Sequence, residues 1–143
     1  MFQILTNFWR VKLMQRLLEH KKKLLFLAIF YTLLVTALCL RSANILLSIP
    51  KGFDKLGHIC FHIGMVVSWF LYLKFRKPLV QTSTTLIQCL FISLIFGIAI
   101  EFAQANFTTT RSADINDVYA NIFGSLLAAL GILMIRKYYN FRL

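Results

Sequence analysis

Hydrophobic residues gather in four long runs that are separated by short polar stretches. The runs cover about residues 24–40, 56–73, 86–102 and 118–135. Each approaches the roughly 17 to 25 apolar residues that an α-helix needs to cross a bilayer. A backbone in lipid must satisfy its own hydrogen bonds, so runs of this kind can span only as helices. The pattern predicts an all-α integral membrane bundle of four transmembrane helices.

Composition supports a membrane location. Hydrophobic residues make up 59% of the chain and charged residues 15%, against about 45–50% and about 25% in soluble domains. A soluble fold of 143 residues could not hide so much apolar surface, so lipid is the main solvent. The three cysteines all lie inside apolar runs without metal-ligand spacing, and they are expected to be small buried hydrophobes.

Positive charge sets the expected orientation. With the N-terminus in the cytoplasm, twelve Lys and Arg residues fall on inner segments and four on outer loops. This bias follows the positive-inside rule and predicts that both termini are cytoplasmic. The net charge of +11 does not indicate nucleic-acid binding, because the basic residues flank apolar runs instead of interleaving with aromatic residues on a polar face.

The chain is expected to have three parts. Residues 1–23 form a basic cytoplasmic leader, residues 24–137 the transmembrane domain and residues 138–143 a short cytoplasmic tail. The leader is roughly amphipathic and is interpreted as a helix on the cytoplasmic leaflet. A floppy leader that only sets orientation is the alternative. No clear small-residue cleavage site follows the first apolar run, which is therefore read as a retained helix.

Polar residues cluster at the predicted outer ends of three helices. The second helix begins outside, the third ends outside and the fourth begins outside, so motifs far apart in sequence reach one depth. The set comprises Asp54, His58, Glu101, Gln104, Arg111, Asp114, Asp117 and Asn121. Carboxylates at the edge of hydrocarbon are costly, and they need partners or a function.

The second helix supplies the expected catalytic pair. Asp54, His58 and His62 are spaced i, i+4, i+8 and share one helix face. Asp54 could accept a hydrogen bond from His58, which would fix the imidazole tautomer and raise its basicity. Each residue also has a structural alternative. Asp54 could simply be an acid that the helix dipole favours at a helix start, and His58 could be a buried polar group whose hydrogen bonds are satisfied. His62 is assigned a structural role.

The third helix and the following loop supply further candidates. Glu101 lies at a helix C-terminus, where the dipole disfavours an acid, and such a broken local rule often marks a site. Gln104 follows one turn later. Arg111 carries a planar donor fork suited to phosphate or carboxylate. A salt bridge between Glu101 and Arg111 that only ties the loop is the alternative.

The fourth helix places Asp114, Asp117 and Asn121 on one face. A buried Asn121 amide would need partners, and Gly124 would permit close helix contact beside it. Asp114 is alternatively a simple helix-start acid. Oxygen ligands suit Mg²⁺ or Ca²⁺, so the tentative metal ligands are Glu101, Asp117 and Asp114. The expected substrate-binding residues are Arg111, Gln104 and Asn121.

These motifs resemble the VanZ-like family of small bacterial membrane proteins linked to glycopeptide resistance. The matching strings are Asp54-Lys55-x-x-His58, Glu101-x-x-Gln104, Arg111 with Asp114, and Asp117-x-x-x-Asn121-x-x-Gly124, within about residues 24–135. One departure is His62, where a tyrosine is expected in many members. The resemblance implies four helices in the bacterial inner membrane with a polar pocket facing outward.

Three functions remain open from the sequence. The first is an enzyme that acts on phosphate head groups of lipid-linked cell-wall precursors, such as a prenyl-phosphate carrier. In it Arg111 would clamp a phosphate and His58 would act as base or nucleophile. The second is a module that binds membrane lipids or precursors without chemistry. The third is a salt-bridged polar knot that only pins helix ends together.

Overall fold

The computed structural model describes residues 2–40, 53–108 and 114–138. Those residues contain four α-helices and no strand, which are α1 (Phe2–Cys39), α2 (Phe53–Arg76), α3 (Thr82–Phe107) and α4 (Ile115–Tyr138). Each helix holds a segment long and apolar enough to cross a membrane, namely Glu19–Cys39, Asp54–Arg76, Thr82–Phe107 and Ile115–Tyr138. The predicted all-α class with four spans is confirmed, whereas the placement of the termini in the cytoplasm stays a prediction.

The leader and the first span form one continuous helix. Helix α1 begins at Phe2 and runs to Cys39 without interruption, so the basic leader is helical. Its expected position on the cytoplasmic leaflet stays a prediction. Arg111 and the outer loop around residues 42–52 lie outside the described residues.

A buried lysine closes the turn between α2 and α3. Lys74 donates hydrogen bonds from Nζ to the carbonyl oxygens of Pro78 (3.2 Å) and Val80 (2.6 Å). The side chain is buried, and these carbonyls satisfy its charge at the end of a membrane span. The turn between the two helices thus lies at Pro78.

Helix α2 is the centre of the bundle, because its contacts with the other three helices are the most extensive. Its approach to α4 is the closest, since a Cβ added at Gly124 would lie 2.9 Å from Ile59 Cα and would collide with the Ile59 carbonyl oxygen. The absence of a side chain at position 124 lets the two backbones touch. The sequence predicted close contact at this glycine.

Two apolar clusters form the buried core of the bundle. Helices α2, α3 and α4 share an apolar core whose buried members are Val66, Phe70, Leu86, Cys89, Ala128 and Ala129. A second cluster of Val35, Cys39 and Ile100 packs α1 against the bundle. Many large apolar side chains point outward, among them Phe91 at 62% exposure, as expected for a protein whose solvent is lipid.

The cysteines only partly follow expectation. Cys39 and Cys89 are buried as small hydrophobes, but Cys60 lies on an exposed face of α2. Position in an apolar run predicts only that a cysteine has hydrophobic surroundings. Lipid provides these for Cys60 as well as a protein core would.

Candidate functional site

The start of α2, the end of α3 and the start of α4 meet around one imidazole. His58 is buried, and its Nδ1 lies 3.0 Å from Asn121 Oδ1 on α4. The same Nδ1 lies 4.0 Å from Glu101 Oε1 on α3, and Nε2 lies 3.8 Å from Asp117 Oδ2. We call this group, with Asp54, Lys55 and Asp114, the polar end.

The partner of His58 fixes its tautomer. Asn121 Oδ1 can only accept a hydrogen bond, so the proton of the neutral imidazole resides on Nδ1. The lone pair of Nε2 then faces Asp117 Oδ2 at 3.8 Å, beyond hydrogen-bond distance. The sequence suggested Asp54 for the orienting role, and the structure adds Asn121 as the group that holds Nδ1. One nitrogen of the imidazole is thus left for chemistry.

Lys55 bridges the two aspartates at the start of α4. Its Nζ lies 3.0 Å from Asp114 Oδ2 and 3.0 Å from Asp117 Oδ1. The lysine and Asp114 side chains are 43% and 41% exposed, whereas that of Asp117 is 8% exposed. The sequence interpretation gave Lys55 no role, although a cation directly after Asp54 among so many acids was the available signal.

Asp114 organises the entry into α4. Its Oδ1 accepts hydrogen bonds from the backbone N–H (2.9 Å) and the side-chain amide (2.8 Å) of Asn116. The backbone N–H of Asn116 and then the ammonium of Lys55 lower the pKa of Asp114 below its ordinary value. The backbone N–H of Asp114 contacts Glu101 Oε2 at 3.3 Å. Asp114 therefore acts as a helix-start acid, which the sequence analysis gave as its alternative role. It also makes contacts inside the polar end.

Two buried polar atoms beside His58 have no hydrogen-bond partner within the described part of the chain. They are Glu101 Oε1 and Asn121 Nδ2, one an acceptor and one a donor. Glu101 and Asn121 are 5% and 2% exposed. Leaving such a group unsatisfied costs about 1 to 3 kcal/mol. The orphaned pair therefore indicates room for a further polar group at this point.

Potential metal ligands also converge at the polar end. Asp54, His58 and Asp117 each offer one ligand atom, and the three atoms lie within 4.8 Å of one another. The set expected from the sequence was Glu101, Asp117 and Asp114, of which only Asp117 belongs to this triplet. Among the described residues the polar end holds four carboxylates and one ammonium, a balance that favours a cation.

The remaining predicted substrate-binding residues have separate positions. Gln104 is buried and donates from Nε2 to the carbonyl oxygen of Cys39 at 2.9 Å, which ties α3 to the end of α1. This contact gives Gln104 a structural partner. Arg111 lies outside the described residues, so its expected phosphate contact and its alternative salt bridge to Glu101 both stay predictions.

His62 anchors a hydrogen-bond chain below the polar end. Ser125 Oγ donates to the carbonyl oxygen of Asn121 (2.8 Å), so Ser93 Oγ must donate to Ser125 Oγ (2.8 Å). Ser93 then accepts from His62 Nδ1 at 2.7 Å. These hydrogen bonds agree with the structural role that the sequence analysis assigned to His62. The sequence interpretation missed both serines, whose only signal was a small polar residue inside an apolar run.

An apolar groove lies between α3 and α4 on the lipid-facing side. It encloses about 300 Å³ and is lined by Ile87, Leu90, Phe91, Leu94, Ile122, Ser125 and Leu126. Leu94 precedes Glu101 by seven residues, which places the groove roughly 10 Å along α3 from the polar end at 1.5 Å per residue. The groove and the polar end thus share two helices at successive depths.

Comparison with known proteins gives one match. A family model described as VanZ/LLP1 matches residues 2–136. No curated protein and no solved structure matches the chain.

Proposed function

This chain belongs to the VanZ/LLP1 family, and from that premise we propose that its polar end binds and hydrolyses the phosphate head group of a lipid-linked cell-wall precursor. The proposal places the polar end at the outer surface of the bacterial inner membrane. There a prenyl tail can remain in the bilayer while the charged head reaches His58.

The unsatisfied pair of Glu101 Oε1 and Asn121 Nδ2 carries the proposal. A polar knot that only pins helices together gains by satisfying all of its buried groups, whereas among the described residues an acceptor and a donor stay open beside the imidazole. A hydrated phosphate or phosphosugar offers both acceptors and donors. The pair therefore supports ligand binding over a purely structural role.

The groove between α3 and α4 supports a lipid as the ligand. Its lining is almost entirely apolar, and Phe91 and Ile87 at its edge are exposed. A hydrocarbon tail in the groove would continue along the same helices to a head group at the polar end. Apolar pockets with a few convergent polar groups are typical of small-molecule sites.

The chemistry available to this chain is hydrolysis assisted by His58. The lone pair on Nε2 takes a proton from water as the water oxygen bonds to phosphorus. The bond from phosphorus to the bridging oxygen breaks, and the departing oxygen takes a proton from solvent. Lys55 is partly exposed at the rim and can exchange a carboxylate contact for a phosphate oxygen.

Phosphate release by the purified protein tests the proposal. The substrate is a long-chain prenyl diphosphate in detergent, and the variant is His58→Gln with His20→Gln as control, since His20 is exposed near Phe75 far from the polar end. Wild type and control should release phosphate and His58→Gln should lose at least tenfold in rate. Binding of the lipid without release would favour the non-catalytic module, and neither binding nor release would refute the proposal.

The groove is tested by filling it. Leu126→Trp should raise KM for the long-chain prenyl diphosphate several-fold and leave the rate on a short-chain diphosphate unchanged, because only a long tail reaches the groove. Leu130→Trp is the matched control, since Leu130 is exposed one turn further along α4 and does not line the groove. Equal effects of the two substitutions would remove the groove from the lipid site.

The effect on glycopeptide susceptibility is part of the proposal. Expression of wild type in a susceptible bacterium should raise the inhibitory concentration of a lipid-anchored glycopeptide, and His58→Gln should not. Resistance that persists in His58→Gln would separate this phenotype from hydrolysis.

A further inference from the structure

We propose that Asp54, His58 and Asp117 form a binding site for a divalent transition-metal cation, with Zn²⁺ and Mn²⁺ as the fitting ions. The inference deepens the proposed function. It rests on that function only for the identity of the head group that the ion would contact. Binding of the ion itself follows from the side chains alone.

The spacing of the three ligand atoms suits one small ion. They lie within 4.8 Å of one another, and His58 Nε2 is 3.8 Å from Asp117 Oδ2. Ligand atoms around a tetrahedral zinc ion with bonds of about 2.0–2.1 Å are about 3.4 Å apart. Small side-chain rotations, which the exposed position of Asp54 allows, would close the difference.

The hydrogen bond on the far side of His58 is an independent indication. With the proton on Nδ1, held by Asn121 Oδ1 at 3.0 Å, a buried lone pair on Nε2 faces a carboxylate oxygen. Two lone pairs at 3.8 Å repel each other, and a metal cation between them would turn this repulsion into attraction to both. A metal-ligating histidine typically donates its second ring N–H to an oxygen in this way, which fixes the ring for the metal.

Lys55 positions Asp117 to bind the same ion. The ammonium contacts Oδ1 at 3.0 Å and leaves Oδ2 directed to His58. Asp117 is buried, so its second oxygen benefits most from a nearby cation. Glu101 Oε1, buried and unpartnered 4.0 Å from His58 Nδ1, adds a further negative charge behind the imidazole. The field at this point therefore favours a cation.

One imidazole with two carboxylates selects the kind of ion. Mg²⁺ and Ca²⁺ prefer oxygen ligands throughout, whereas imidazole suits zinc and similar ions, and carboxylates also suit manganese. Three protein ligands would leave an open position for water or a phosphate oxygen, as in catalytic zinc sites. Because Nε2 would then be occupied as a ligand, the ion would activate the water in place of the imidazole. This site differs from the Mg²⁺ or Ca²⁺ set of Glu101, Asp114 and Asp117 that the sequence suggested.

Titration of the full chain in detergent with Mn²⁺ alone tests the site, and electron paramagnetic resonance reports whether a histidine nitrogen binds the ion. We expect one tight ion per chain with nitrogen coupling. His58→Gln should abolish the coupling, and Asp54→Asn should weaken binding at least tenfold. Asp54 is exposed, so its variant carries little risk to folding. Glu19→Gln, at an exposed position of α1 far from the polar end, is the control of equal charge change and should bind within a few-fold of wild type.

Outcomes separate this inference from the proposed function. Absence of Mn²⁺ and Zn²⁺ binding, or binding unchanged in both Asp54→Asn and His58→Gln, would overturn the metal site. Phosphate release by a wild-type protein that binds neither ion would overturn the metal site while the lipid function stands. Tight ion binding with nitrogen coupling, in a protein that neither binds nor cleaves a prenyl diphosphate, would uphold the metal site and refute the lipid function.

Discussion

Replacement of Gly124 by alanine should separate α2 from α4 and destabilise the bundle. The added methyl carbon would lie 2.9 Å from Ile59 Cα and 3.0 Å from the Ile59 carbonyl carbon. Both neighbours are backbone atoms of a helix, so they cannot rotate aside as a side chain could. Relief must come from movement of one helix relative to the other.

The size of the effect follows from that movement. The Ile59 carbonyl oxygen is the nearest atom, and moving it out to an ordinary contact of 3.4 Å requires a displacement of about 1 Å in a close-packed interface. Overpacking of this kind costs about 1 to 3 kcal/mol. Asn121 lies one turn from Gly124, so its 3.0 Å hydrogen bond to His58 would stretch toward 3.5 Å and weaken. Stability and site geometry should therefore suffer together.

Unfolding of detergent-solubilised protein measures the loss, with two glycine controls. A Cβ at Gly131 on α4 would meet nothing within 4 Å, and one at Gly57 on α2 would lie 3.8 Å from Phe61 Cε2, an ordinary contact. Alanine at either control position should leave stability equal or slightly higher, because alanine favours a helix over glycine by roughly 0.8–1 kcal/mol. If Gly124→Ala unfolds at the same point as Gly131→Ala, the close α2–α4 contact is refuted.

Three further predictions test the polar end, the buried chain and the orientation. Glu101→Gln should abolish prenyl diphosphate hydrolysis, because it changes the buried group that the head group would contact. Unfolding should be unchanged or improved, because a buried carboxylate whose Oε1 has no hydrogen-bond partner among the described residues becomes neutral. Lower stability with full activity would favour the polar knot. Ser93→Ala should lower the free energy of unfolding by about 1 to 3 kcal/mol, since it leaves the buried N–H of His62 without its acceptor. Ser83→Ala, at an exposed position of α3, is the control and should change it little. Cysteines placed at exposed positions in a background without native cysteines report the orientation. Asn116→Cys should react with a membrane-impermeant thiol reagent in intact cells, whereas Leu79→Cys should react only after lysis. The reverse pattern would invert the predicted topology.

The sequence by itself determined the four spans and the end of the bundle at which the polar groups meet. Hydropathy is a local property, and alternation of helix direction follows from the number of spans. Asp54, Glu101 and Asp117 could therefore be assigned to one end without knowledge of any contact. Gly124 was recognisable too, because a small residue in a membrane helix favours close approach.

Only the tertiary structure decided which side chains touch. The pairing of His58 with Asn121, the bridge from Lys55 to Asp117 and the contact of His62 with Ser93 each join different helices. Such contacts depend on the rotation and depth of one helix relative to another, which packing of the whole bundle sets. A shift of one residue turns a helix by about 100°, so sequence spacing within one helix cannot specify a partner on the next.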